Sequence, residues 1–218
     1  MSREDLDRQL TALRVDISSL EMFVDDLLQR ALASVSDGDA YHARIALNRE
    51  EEFDKTYSAI EERTIDLLTL QQPVLAADLR LLVGGLVVAQ RLQRVGHGAF
   101  GVARLAIDLS GFATKETTLP ALLELGQEAR QMLHDAVTAF VQNNVAMAQQ
   151  VVTRDQTADT HYRALRDDLL RSLSQVGTHL ETDEFTHRRL TYWLWIGHKL
   201  ERVADHAVVI AKRVQQLQ

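Results

Sequence analysis

Residues 198–214 read HKLERVADHAVVIAKRV, and residues 90–106 read QRLQRVGHGAFGVARLA. The two stretches align without a gap: Leu92 with Leu200, Arg94 with Arg202, Val95 with Val203, Ala99 with Ala207 and Arg104 with Lys212. The recurrence extends upstream, where Asp54 matches Asp159 and Tyr57 matches Tyr162 at a spacing of 105, against 108 for His97 and Asp205. The three-residue difference fits a length change in one loop. An internal repeat of this size means that the chain is built twice from one unit.

The unit is helical. Apolar residues recur at helical rather than strand spacing, as at Leu6, Leu10, Leu13, Ile17, Leu20, Val24 and Leu28. The SDGD turn at 36–39 ends the first helix, with Asp39 as an N-cap, and a second helix is expected over about 40–70. Pro73 breaks it, and a third runs over about 76–109. After a linker, Thr118 and Pro120 open a fourth helix; Asn143 or Asn144 caps a fifth, and a sixth runs from about 184 to 217. Helices joined by short loops pack as antiparallel neighbours. The expected fold is all-α, two tandem three-helix bundles spanning residues 1–110 and 119–218.

Composition narrows the function. Of the 218 residues, 46% are hydrophobic and 25% charged, as in an ordinary globular protein. No apolar run approaches the ~18 residues that a membrane-spanning helix requires, and the charged start MSREDLDRQL is unlike a secretory signal; a soluble, intracellular protein is expected. The net charge is −7, and neither half carries a basic excess: residues 1–110 hold 12 basic and 18 acidic side chains, residues 111–218 hold 12 and 13. That balance argues against nucleic-acid binding. Cysteine is absent, so any metal must be held by oxygen or imidazole.

The chemistry-bearing pattern is a set of paired acids. Glu201 and Asp205 stand four residues apart, as do Asp155 and Asp159 on the preceding helix, so each pair projects from one helix face. Four converging carboxylates must share protons or bind a cation, whereas a pair on a solvated face needs neither. The first repeat carries Glu50 and Asp54 where the second has Asp155 and Asp159, but Gln93 and His97 where it has Glu201 and Asp205. His198 lies on the Glu201 face and can add an imidazole; His206 points elsewhere. Pro73, Asp78 and Arg80 read either as helix punctuation with an interhelical ion pair or as a partner-contact surface. Gly84, Gly85, Gly96, Gly98 and Gly101 point to close helix approach, and Trp193 and Trp195 cannot share a helix face.

Glu50/Asp54, Asp155/Asp159 and Glu201/Asp205, the stretch LERVADHA (200–207) and the glutamine–proline turn QQPVLAADLR (71–80) together resemble the PhoU family of phosphate-uptake regulators. The resemblance covers nearly the whole chain. It implies two tandem three-helix bundles whose E/D-x-x-x-D motifs bind metal: iron or zinc, with magnesium or manganese as alternatives. It further implies a cytoplasmic, non-enzymatic adaptor, commonly homodimeric, that meets the membrane only through its partners. Those partners are the ATPase of a phosphate ABC transporter and a sensor histidine kinase, and the effect is repression of the phosphate-starvation response. Asp155, Asp159, Glu201 and Asp205 match the metal motifs intact; Glu50, Asp54 and His97 form a weakened or lost counterpart, because Gln93 supplies no charge. Two other readings stay open: a ferritin-like di-metal enzyme, although the site helices lack its Glu-x-x-His pairs, and a metal-free accessory protein of a phosphate permease.

Overall fold

The computed structural model describes residues 2–70, 75–111, 119–176 and 184–217. Among them every regular element is a helix: α1 (Arg3–Asp37), α2 (Tyr41–Leu47), α3 (Glu50–Leu70), α4 (Ala76–Ser110), α5 (Pro120–Gln142), α6 (Val145–Val176) and α7 (Glu184–Gln215).

Helix ends follow local chemistry. The Ser2 hydroxyl accepts from the Asp5 N–H at 3.1 Å to open α1. Gly38 closes it at φ 68°, a conformation that a side chain would strain, and donates its N–H to the Ser34 carbonyl. The two asparagines divide their labour: Asn143 ends α5 at φ 52°, and the Asn144 side chain accepts from the Met147 N–H to begin α6. Pro120 sits in the first turn of α5, where its missing N–H costs nothing. Thr118 and Pro73 lie outside the described residues.

The expected single helix over 40–70 is two helices. A turn at Asn48 and Arg49 separates α2 from α3. Arg49 ties this break to α1, reaching Asp26 at 2.8 Å and Glu52 at 2.9 Å while its guanidinium covers the Phe23 ring at 4.0 Å. Nothing in the apolar spacing marks that break, because α2 and α3 keep one buried face through Ala43, Ala46, Phe53 and Tyr57.

The two repeats pack against each other along their long helices. α1 and α4 of the first meet α5 and α7 of the second, while α3 lies outside on α1 and α4 and α6 lies outside on α5 and α7. A core of leucines, valines and phenylalanines runs continuously through these helices. Each such side chain contributes roughly 1.5–3 kcal/mol when fully buried. Polar ties supplement the α1–α5 seam, where Arg130 holds both Asp25 oxygens at 2.7 and 2.8 Å. Beside it the buried Glu21 faces His134 at 3.4 Å; burial pushes its carboxyl above the usual range.

The glycines of α4 serve different ends. Gly85 admits Leu13 and Ile17 of α1, Gly84 admits Leu217 and Phe140, and Gly96 admits the Phe53 ring, so close approach explains all three. It does not explain Gly98, around which a side chain would meet open space. Trp193 is buried and Trp195 is 52% exposed, as their angular separation on α7 requires.

Candidate metal centre

The acid pairs lie where the outer helix of each repeat packs on its partner, α3 on α4 and α6 on α7. The four second-repeat carboxylates come within electrostatic reach of one another. The Asp155 carboxyl is pushed upward by burial, then by the charges of Asp159 and Asp205, with Lys212 opposing. Glu201 is pushed upward by burial, then by Asp205, with His198 opposing and Asp159 adding to the rise. Burial and Glu201 likewise push up the nearby Tyr162 hydroxyl.

Compensation of this set is partial. Glu201 Oε2 is buried without a hydrogen bond, and its nearest cationic candidate is His198 Nδ1 at 3.4 Å. Asp159 pairs with Arg163 at 2.9 Å on the solvent side. An orphaned carboxylate oxygen among mutually repelling acids suits a hard cation, so the donor chemistry fits a metal. The donor geometry is not closed: among the described residues no three His, Asp or Glu side chains converge to ligand distance. Binding therefore requires side-chain rotation about the α6–α7 groove.

The first repeat handles its acids differently. Arg104 donates to Glu50 at 2.6 Å, and His97 Nε2 approaches Asp54 Oδ1, itself buried without a hydrogen bond, at 3.3 Å. The His97 ring also sits edge-on to Phe53 and Phe100, at centroid distances of 5.9 and 6.1 Å. His97 thus stands where the second repeat has Asp205, and Arg104 adds a cation that reaches across to α3. Arg104 aligns with Lys212 in the repeat, but its length and fork, which let it reach across to α3, could not be read from that alignment.

Asp78 is buried in the first turn of α4 and holds Arg3 of α1 through both oxygens, at 2.5 and 3.3 Å. Arg80 is exposed on the same helix. His206 is buried on α7 away from the acids, its pKa lowered to about 4 by burial and then by Arg91, Arg202 and Arg94. Among the described residues no helix is long and apolar enough to cross a membrane.

Comparison with known proteins places this arrangement. The family model described as the PhoU domain matches twice, over residues 17–106 and 122–214. A protein of Clostridium acetobutylicum named phosphate-specific transport system accessory protein PhoU homolog is 23% identical over 212 residues, 97% of this chain and 93% of that protein. A homologue of the same name from Caulobacter vibrioides is 26% identical, covering 94% of this chain and 85% of its own. The crystal structure of PhoU from Pseudomonas aeruginosa superposes with a TM-score of 0.88 at 25% identity, over 97% of both chains. That of the phosphate transport system regulatory protein PhoU from Streptococcus pneumoniae superposes at 0.83 and 24% identity, over 97% of this chain and 96% of that one, and speaks to the fold.

Proposed function

This chain belongs to the PhoU family, and from that premise we propose that it is a non-enzymatic, metal-binding regulatory adaptor of phosphate uptake. The observation that carries the reading is the double match of the PhoU domain, one copy on each half of the chain, together with relatives named as accessory proteins of the phosphate-specific transport system. The chain acts in the cytoplasm and reaches the membrane by contacting the ATPase of a phosphate ABC transporter. Through a sensor histidine kinase it holds the phosphate-starvation response off when phosphate is plentiful. The homodimer is part of the same proposal. Long helices offer broad side surfaces for such contacts.

Asp155, Asp159, Glu201 and Asp205 hold the metal, iron or zinc with magnesium or manganese as alternatives. The metal would cancel the repulsion among these four acids and tie α6 to α7. Support comes from the orphaned Glu201 oxygen and the shared upward push on Asp155 and Glu201. Glu50, Asp54 and His97 bind weakly or not at all, since Arg104 already compensates Glu50. Deleting the gene, in a host without a second copy, is expected to switch on phosphate-starvation genes in high phosphate. An unchanged response overturns the regulatory reading. Purification from phosphate-replete cells is expected to recover the transporter ATPase.

A further inference from the structure

An arginine stands one residue before the first acid on the outer helix of each repeat. Arg49 precedes Glu50, Arg154 precedes Asp155, and the two match at the spacing of 105. Each reaches the inner helix beside its own. Arg49 holds Asp26 of α1 at 2.8 Å and Glu52 at 2.9 Å. Arg154 crosses from α6 to α5, where it holds Glu128 at 3.0 Å and Asp135 at 2.6 Å. Glu128 and Asp135 stand seven residues apart on α5, so one guanidinium fork ties α6 to two turns of its neighbour. All three side chains are partly buried, and a fork of charged hydrogen bonds in that setting is stronger than a pair on an open surface.

The two arginines work against different backgrounds. In the first repeat Phe53, four residues beyond Arg49, is fully buried and pegs α3 onto α4. The same position of α6 is Ala158, and between Val151 and Leu165 it is the only buried residue. One methyl group gives that stretch of about four turns little apolar hold on the core. It is the stretch that bears Asp155 and Asp159. Beneath Arg49 the Phe23 ring lies at 4.0 Å; the repeat puts Glu128 in its place. The second repeat has thus exchanged apolar contacts for a second carboxylate on the arginine. Neighbouring residues look opposite ways, Arg154 to α5 and Asp155 toward Asp205 and Lys212 of α7.

We infer that Arg154 is a positioning residue of the second acid centre: by tying α6 to α5 through Glu128 and Asp135, it fixes the rotation at which Asp155 and Asp159 meet Glu201 and Asp205 around a cation. This role presupposes the metal site proposed above, and Arg154 itself touches no metal. Groups that orient ligands from behind set metal affinity by roughly 10–100-fold. Charge alone predicts the opposite sign, since a cation beside carboxylates repels a metal and its removal would tighten binding.

The test is calorimetric titration of the metal-free whole chain with zinc ion and with manganese ion at fixed pH and ionic strength. The second-bundle site is identified as the one lost in Glu201→Gln/Asp205→His. Arg154→Met is expected to weaken that site at least about tenfold and to speed hydrogen exchange of the amides around Asp155 and Asp159. Arg154→Lys keeps the charge but has no fork to span two carboxylates, and its affinity should fall between. Arg49→Met, the same change in the other repeat, should leave the site within about twofold of wild type. Equal or tighter binding by Arg154→Met overturns the positioning role and leaves the metal site standing. So does an equal loss in Arg49→Met, which would mark general loosening of the fold. Wild type that takes up neither ion overturns the metal site and this role with it. Circular dichroism and a single cooperative unfolding transition check that each variant folds; where Arg154→Met does not, Arg154→Lys decides by the same comparison.

Discussion

The two bundles descend from one sequence unit and solve the same packing problem with different volumes. In the first, Phe53 of α3 inserts its ring where a Cβ on Gly96 of α4 would stand. In the second, the corresponding residues are Ala158 and Ala204, both buried. One bundle places the bulk on one helix; the other shares it. The acid motifs differ in the same neighbourhood. Phe53 carries His97 and Phe100 against its ring, and Arg104 and His97 answer Glu50 and Asp54. In the second bundle burial, and then the charges of Asp159 and Asp205, push the Asp155 and Glu201 carboxyls upward. Duplication preserved the backbone because packing is satisfied by summed volume, while the charges on the same helices were free to diverge.

The sharpest way to break this comparison is to exchange the chemistry. Glu201→Gln with Asp205→His is expected to remove most of the metal carried per chain, measured by elemental analysis of protein purified without a histidine tag. The reverse exchange, Gln93→Glu with His97→Asp, should add little metal until Arg104→Ala is included, because Arg104 otherwise keeps Glu50 occupied. Full metal content in the first variant would end the assignment to the second bundle.

The packing contrast predicts the next largest effects. Phe53→Ala should cost about 3–5 kcal/mol of stability, read by denaturant unfolding. Gly96→Ala should cost about 1–3 kcal/mol by overpacking against the ring. Combined, the two should cost clearly less than their sum, since the double variant reproduces the alanine pair of the second bundle; strict additivity would show that the volumes are not exchanged between these positions.

The smallest expected effect is a pH dependence. Asp155 and Glu201 have folded-state pKa values above their unfolded ones, so their ionisation opposes folding. In metal-free protein that penalty is full above the folded values and is relieved as pH falls through them toward the ordinary carboxylate range. Lowering the pH through that window should stabilise wild type more than Asp155→Asn/Glu201→Gln. Equal responses would mean that the carboxylates do not repel. With metal bound the sign reverses, because protons compete for the ligands.

The sequence by itself determined the helical class, the duplication, and the pairing of acids on single helix faces, because a 3.6-residue period and a 105–108 offset are properties of the chain alone. It also marked the unequal fate of the motifs at Gln93 and His97. It did not mark the break between α2 and α3, which depends on Arg49 reaching Asp26 and Phe23 from another helix. Nor could it distinguish Gly96, filled by Phe53, from Gly98, which stands in open space two residues further on. The alignment of Arg104 with Lys212 was legible; that the arginine holds Glu50 was not. Only tertiary packing decided which charges meet, because helical spacing fixes the face on which a side chain leaves and says nothing of what stands opposite.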